Sequence, residues 1–528
     1  MGRRRSHRHP KIMTTKPPAN ARHDLLRFRG WLLPAWAALG GGILAGCAVG
    51  RDYQRPAAPQ DAGYTTQALT AETASAPSPV GGIQRFVPSG AVSATWWQDL
   101  GSAKLNFVVE QALRSSPTLV AATATLRQAN QTYAAQAGAT RIPQANARLG
   151  AQRQGINTAA AGLPDGERVF NLYHSSVEVS YNFDLFGSNR RTLEALAAQA
   201  DYQRYQLAGA RLTLVGNVVT TAITQARLAA QIQASAAILA DQEAQLAIAR
   251  QRVMLGAAAQ NEVSALQTQV ELTRADIPPL RTAFDQTHHL LAVLVGQTPG
   301  TGANIPFSLS DFTLPASLPV IVPSELVRQR PDIQAAEALL RAANAQYGVA
   351  VAKFYPQIAL SGNLGSQALT TASLFDGGSL VLGLAGQLTQ PLFRSGLRAE
   401  ARAADAGFDA AAANYRQTVL QALRNVADVL RALDNDAHTL NAQTTADASA
   451  QESMQSTRRQ YDLGAASYLQ ILVAQQQVHQ IRISLSAAQA RRLLDTVALY
   501  QAMGGGLLHD GVALAANSRS DAFSPRMR

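Results

Sequence analysis

Few of the side chains are chemically reactive. The 528 residues include one cysteine, Cys47, and nine histidines. A single thiol can form no intrachain disulfide, no Cys-based zinc site and no Cys-ligated iron–sulfur cluster, but its sulfur can take a covalent substituent. His288 and His289 are neighbours in a helical stretch, so their rings project about 100° apart, a poor geometry for one metal ion. His174, His438, His479 and His509 are scattered, with no Asp or Cys at ligand spacing, and read as solvated side chains. There is no phosphate-binding loop, so any energy coupling must come from another protein. The interleaved aromatic and basic residues of a nucleic-acid reader are also missing. These residues point to no enzyme, no metal centre and no nucleic-acid partner.

The residues before Cys47 give the thiol its meaning. Arg3, Arg4, Arg5, Arg8, Lys11, Lys16, Arg22, Arg27 and Arg29 stand against one acid, Asp24. They account for +8 of the formal net charge of +11. An apolar run over residues 31–45, too short to span a bilayer comfortably, ends at Leu44-Ala45-Gly46-Cys47. A basic region, a short apolar stretch and small residues before a cut make a secretory signal over residues 1–46. The order resembles a bacterial lipobox, whose cysteine is acylated and becomes the first mature residue. Ala48 after it, in place of Asp, implies export to an outer membrane. The alternative is a chance cysteine behind a signal anchor. The length of the basic region makes Met13 an alternative start. Within the tail, 506–528, Arg519, Arg526 and Arg528 against Asp521 add +2 over residues 518–528, leaving the rest of the mature chain near neutrality. The basicity is mostly an export signal rather than a binding surface.

The body is a tandem duplication. Pro117, Arg127, Asn130 and Tyr133 recur as Pro331, Arg341, Asn344 and Tyr347, each displaced by 214 residues. Pro143-Gln144 recurs as Pro356-Gln357, Leu185-Phe186 as Leu392-Phe393, and Leu255-Gly256-Ala257 as Leu463-Gly464-Ala465. Behind an extended segment, 47–104, the repeats run over 105–317 and 318–505, joined by a Pro-rich stretch at 306–323. Each reads helix, hairpin, very long helix, helix. Residues 191–254 and 395–462 contain no proline. At 1.5 Å per residue the first would be about 96 Å long. Alanine-rich patterning with interspersed Leu and Val suits a coiled-coil-like layer with one wet face.

The hairpins have a different period. Val177, Val179, Tyr181, Phe183 and Leu185 alternate with Glu178, Ser180, Asn182 and Asp184; Leu380, Leu382, Leu384 and Leu388 alternate with Val381, Ala385, Gln387 and Thr389. Strands of about ten residues with apolar and polar faces fit a transmembrane barrel wall, and equally a soluble sandwich. The export signal and lipobox favour the barrel, because a mean hydropathy of −0.05 is too low for a polytopic helical membrane protein. Four strands cannot close a barrel and lipid tolerates no open edge, so several chains must share one. The expected fold is α+β, mainly α, of long coiled-coil-like helices plus β-hairpins, with three copies giving twelve strands.

At these residues the sequence resembles the TolC-type outer-membrane efflux channels, in their lipoprotein (NodT and OprM) branch. The matching landmarks are Cys47, Asp52-Tyr53, Arg55-Pro56, Trp96-Trp97 with Leu105, Phe183-Asp184-Leu185-Phe186-Gly187, Arg330-Pro331-Asp332-Ile333 with Glu337, and Pro391-Leu392-Phe393 with Gly396. The resemblance implies a homotrimer in outer-membrane lipid. It also implies a periplasmic tunnel, a periplasmic adaptor (membrane fusion) protein and an inner-membrane pump as partners. No cofactor is implied beyond covalent lipid on Cys47. The closed tunnel end would lie at the turns of Gly256 and Gly464, where glycine permits the left-handed backbone. Tyr461 would be a tip tyrosine holding the closed state and Leu469 part of an apolar constriction. The family often has an aspartate where Val473 stands and an arginine where Gln476 stands. An apolar or amide-lined gate is therefore expected in place of a charged lock. Two other departures are Arg51 for a proline and Pro278-Pro279, which should interrupt the second helix of the first repeat. Three functions follow: the channel of a drug or solute efflux pump, which is favoured; the same channel in type I protein secretion or metal export; and a non-conducting lipoprotein scaffold.

Overall fold

A computed structural model describes residues 48–506, apart from 62, 68–69, 89–91, 158–166 and 301–304. Cys47, the signal segment, His509 and most of the tail lie outside the described residues.

The helices, in order, are α1 (Ala103–Ser115), α2 (Pro117–Arg141), α3 (Ser188–Met254), α4 (Gln260–Leu294), α5 (Pro323–Gln329), α6 (Pro331–Ala352), α7 (Ser395–Asp462) and α8 (Tyr468–Ala502). The strands are β1 (Arg85–Pro88), β2 (Gln144–Asn157), β3 (Glu167–Phe183), β4 (Ser317–Val320), β5 (Gln357–Ala368) and β6 (Leu380–Thr389). α3 and α7, of 67 and 68 residues, are each about 100 Å long by their rise per residue. They fold back onto α4 and α8 through tight turns, giving two antiparallel helix pairs that lie along one another.

β2, β3, β5 and β6 form one antiparallel sheet in that order. Its register aligns Ala147, Val177, Leu364 and Leu382 across all four strands. The aligned row is apolar on one face, as period-2 patterning requires. Leu382 and Leu384 are 78% and 80% exposed, so this face has no covering layer within the chain. The outer strands β2 and β6 each keep one unpaired edge among the described residues.

The main core lies midway along the helices. Trp96 is sealed and stacks on Tyr500, with ring centroids 5.3 Å apart, and meets Trp97 edge-on at 6.2 Å. Leu105, Val109, Ile223, Leu430 and Leu493 close around them. β1, from the N-terminal segment, pairs in parallel with β4, from the linker between the repeats. This short pairing was not visible in the sequence, because four residues carry too little pattern to mark a strand.

One expectation is overturned. α4 runs unbroken through Pro278 and Pro279. A proline pair deprives two carbonyls of their helical donors and costs several kcal/mol, on the order of 3 for each residue. The helix persists because Val263, Leu266, Val270, Thr273 and Ile277 before the prolines, and Leu291 and Ala292 after them, are buried and hold it in place.

Candidate functional site

At the far end of the helix pairs, the chain reverses at Gly256 and Gly464, with φ of +71° and +76°. Both turns end on the same pair of capping bonds: Gly256 N–H donates to Val253 O and Ala257 N–H to Arg252 O, while Gly464 N–H donates to Tyr461 O and Ala465 N–H to Gln460 O. A side chain at either glycine would meet open space, so it is the left-handed backbone and not crowding that calls for glycine there.

Next to the turns lies a cavity of ≈ 170 Å³ lined by Gln245, Arg252, Glu262, Tyr461, Tyr468 and Ile471. Arg252, from α3, donates Nη1 to the Tyr461 hydroxyl of α7. Tyr468, from α8, stands edge-on to Tyr461 at 5.6 Å and donates its hydroxyl to Gln245 Oε1 at 2.7 Å. Burial, reinforced by the Glu262 carboxylate, pushes the Tyr468 phenol well above its ordinary value and keeps it a neutral donor. These contacts bridge the two helix pairs beside the turns.

The other expected gate residues are placed elsewhere. Leu469, Val473 and Gln476 form a stripe along one exposed face of α8, with Leu469 65% and Val473 58% exposed. Among the described residues nothing covers them, and the Tyr461 hydroxyl is engaged by Arg252 of α3. Sequence reasoning missed Arg252, Tyr468 and Gln245. Arg252 has Gln460 at the matching place of the other repeat, so the duplication gave no signal for it.

At the opposite end, the N-terminal segment begins at the foot of the sheet. Val49 N–H donates to Phe186 O at 3.0 Å, and Ala48 lies against Gly187, whose φ is +79°. A Cβ at Gly187 would come within 2.7 Å of Ala48 Cα. The segment is then tied down by charge. Arg191 donates Nη2 to Asp52 at 2.7 Å, and Arg55 donates Nε to Glu337 at the same distance. Arg51 lies between the Tyr347 and Phe408 rings, 4.6 and 3.9 Å from their centroids, and donates to Asn344 and Asp405. The arginine that departs from the family pattern therefore joins α6 to α7.

Midway, the same segment is held by polar groups inside the core. Arg492, fully buried on α8, donates Nη2 to Gly82 O at 2.7 Å and to Thr73 Oγ1 at 2.9 Å. Gln84 donates to Pro315 O and Thr496 Oγ1. Asp495 of α8 faces Asp436 of α7. Burial, then the hydrogen bond and repulsion from Asp436, raise the Asp495 pKa to about 8. The Asp495 carboxyl is thereby held largely protonated at neutral pH.

Among the described residues no group of three or more His, Cys, Asp or Glu side chains could hold a metal ion. The His288 and His289 rings stand 6.1 Å apart and tilted by 56°.

A family model described as outer membrane efflux protein matches residues 108–297 and 322–505. The chain is 31% identical over 420 residues to the pyoverdine export outer membrane protein OpmQ of Pseudomonas putida, covering 78% of this chain and 88% of that one. It is 29% identical over 483 residues to the toluene efflux pump outer membrane protein TtgI of Pseudomonas putida, covering 90% and 98%. Its fold is similar to that of the outer-membrane channel OprN, with a TM-score of 0.78 and 26% identity over 87% of this chain and 100% of that one.

Proposed function

Since the chain belongs to the outer membrane efflux protein family, we propose the following account of how its parts work. The protein is the outer-membrane channel component of a tripartite efflux system of the resistance–nodulation–division type. It is a passive conduit that carries drugs or other small solutes from the periplasm to the exterior, with a large helical portion in the periplasm. One observation carries this reading: a four-stranded sheet, apolar on an uncovered face and open at both edges, stands on helices about 100 Å long. Such a sheet is a wall segment and becomes stable in lipid only when other segments complete it.

Three copies supply the twelve strands. Cys47 carries the lipid: Ala48, its neighbour, already lies at the junction of sheet and helix, where the membrane surface would fall. The turns at Gly256 and Gly464 form the periplasmic tip and face the adaptor protein, which joins the channel to its inner-membrane pump. In the closed state Arg252 and Tyr461 latch the helix pairs together, and the stripe of Leu469, Val473 and Gln476, turned toward the threefold axis, narrows the passage with apolar and amide groups. Aspartate and arginine would make a ring whose state follows pH; valine and glutamine make one that does not.

The test is conductance. Purified trimers in planar bilayers should show a small closed-state conductance that rises when the tip latch is cut. A chain that inserts without conducting in any variant would sink the channel reading in favour of a scaffold. A deletion strain challenged with drugs, organic solvents, siderophores and metals would identify the cargo.

A further inference from the structure

Each of the four places where the sheet passes into the helices carries an exposed cation. Arg141 is the last residue of α2, just before β2, and Arg190 is the third residue of α3, just after β3. Lys353 caps the end of α6 before β5, and Arg394 caps the start of α7 after β6. The duplication did not put them there. By the match of Leu185-Phe186 to Leu392-Phe393, Arg190 corresponds to Leu397 and Arg394 to Gly187. By the match of Pro143 to Pro356, Arg141 corresponds to Phe354 and Lys353 to Thr140. What the four share is a level along the molecule, not a place in the repeat. Pairing inside the chain does not account for them either. The carboxylates of this level are already engaged: Asp52 and Glu194 by Arg191, and Asp184 by the backbone N–H groups of Asn189 and Arg190. Arg141 donates to the Tyr133 hydroxyl, and Lys353 meets Glu400 at 2.8 Å in an exposed pair that is readily exchanged. Arg190 and Arg394 form no ion pair among the described residues. The helix dipole explains half of the pattern: it favours Arg141 and Lys353 at C-terminal ends and opposes Arg190 and Arg394 at the starts of helices that have no acid in their first turn. A layer of negative charge outside the protein at that level would favour all four.

We propose that Arg141, Arg190, Lys353 and Arg394 form a band that binds the headgroups of anionic phospholipids, of the phosphatidylglycerol class, in the inner leaflet of the outer membrane. This rests on the outer-membrane channel reading above and adds a lipid preference to it. The level is marked independently by the N-terminal segment: Val49 N–H donates to Phe186 O and Ala48 lies against Gly187, so a lipid on Cys47 would enter the bilayer at the same height. Immediately beyond it begins the sheet, with its uncovered apolar face. Long basic side chains suit that boundary, because their aliphatic stems lie along apolar surface while the charged heads reach phosphate oxygens. Zwitterionic headgroups carry no net charge and gain less from such a band. A single exposed cation binds a headgroup weakly, but three copies present twelve on one ring, and their attractions add.

The test uses the full-length protein in vesicles of phosphatidylethanolamine containing a minor share of phosphatidylglycerol. After gentle detergent extraction, the lipid retained by the trimer is measured by native mass spectrometry. It should be at least about threefold richer in phosphatidylglycerol than the vesicles, and the enrichment should fall at high salt. Arg141→Gln, Arg190→Gln, Lys353→Gln and Arg394→Gln combined should return the retained lipid to the vesicle composition. The double variant Arg190→Gln with Arg394→Gln, which also relieves the two helix starts, should remove about half of the enrichment and keeps the test open if the quadruple variant does not assemble. Arg141→Lys, Arg190→Lys and Arg394→Lys together should preserve it. So should the loss of four cations lower on the helices, in Arg250→Gln, Arg281→Gln, Arg416→Gln and Arg459→Gln. No enrichment in the wild type, enrichment that survives in the band variants, or equal loss in the variant altered lower down would overturn the band. A change in the anion-to-cation permeability ratio of the band variants with lipid retention unaltered would also overturn it, by placing the cations on the lumen. All of these outcomes leave the channel reading standing, since only a protein that conducts in no variant overturns that.

Discussion

The middle of the molecule and the tip at the Gly256 and Gly464 turns are built from the same two helix pairs and held together in opposite ways. In the middle, side chains from the N-terminal segment, the linker and four long helices close around Trp96 and Tyr500, and even the polar groups there are sealed. Arg330 donates to Ala502 O, and Gln225 accepts from Phe307 N–H, so the chain's distant segments are joined by bonds that no water can replace. At the tip, the dry cluster around Leu246, Val263 and Leu266 is small, and the bridging contacts are single hydrogen bonds beside solvent. A buried aromatic core cannot open gradually, whereas a few part-exposed polar bonds can exchange with water at little cost. The contrast separates a belt that keeps the assembly together from an end that can move.

The largest effect should follow from emptying the belt. Trp96→Ala removes a stacked, fully buried ring and should cost about 3–5 kcal/mol, enough to abolish the heat-resistant trimer. Thermal denaturation monitored by gel mobility would show it. Retention of wild-type heat resistance would mean that the middle is no more essential than the tip.

Cutting the tip should show the reverse. Arg252→Ala removes the donor to Tyr461 and should change stability by no more than about 1 kcal/mol. Its closed-state conductance in planar bilayers should rise several-fold, and Tyr461→Phe should give a smaller rise, because the Arg252 guanidinium still lies over the ring, 5.6 Å from its centroid. A variant that unfolds without conducting more would make the tip a structural element like the belt. Leu469→Ser should raise conductance less than Arg252→Ala, since it widens the passage without releasing the helices. An unchanged closed-state current would remove Leu469 from the constriction.

How much of this was legible in the sequence depends on what each feature is made of. The long helices and the sheet could be read because their periods, near 3.6 and 2, persist over many residues and occur twice. Tyr461, Leu469, Val473 and Gln476 could be placed on the right helices, but their partners could not be named. Arg252 meets Tyr461 from 209 positions away, with no echo in the other repeat. Arg51 was visible as a departure from pattern, yet its purpose depends on two rings brought to either side by α6 and α7. The prolines of α4 were misjudged because local preference was weighed without the burial of Ile277. In each case the missing information was tertiary.

The smallest effect sharpens the comparison most, because it concerns a titrating group inside the belt. Asp495 has its pKa raised to about 8, first by burial and then by Asp436, while Arg491 acts in the other direction; buried Arg492 stands close to the same pair. A carboxyl with a native pKa above its unfolded value holds a proton in the folded state that the unfolded chain releases. Its contribution to stability is complete below about pH 4, the pKa of an unperturbed aspartate, and is lost as pH rises toward 8. The heat resistance of the trimer should therefore decline between pH 5 and 8. Asp495→Asn, which keeps the shape and removes the charge, should flatten that slope, while tip conductance in the same variant should be unaffected by it. A slope that persists in Asp495→Asn would place the pH-sensitive groups elsewhere. A slope that disappears together with a change in tip current would mean that belt and tip are coupled, because ionisation in the belt, near the end of α8 remote from the tip, would then be felt at the turn that joins α7 to α8.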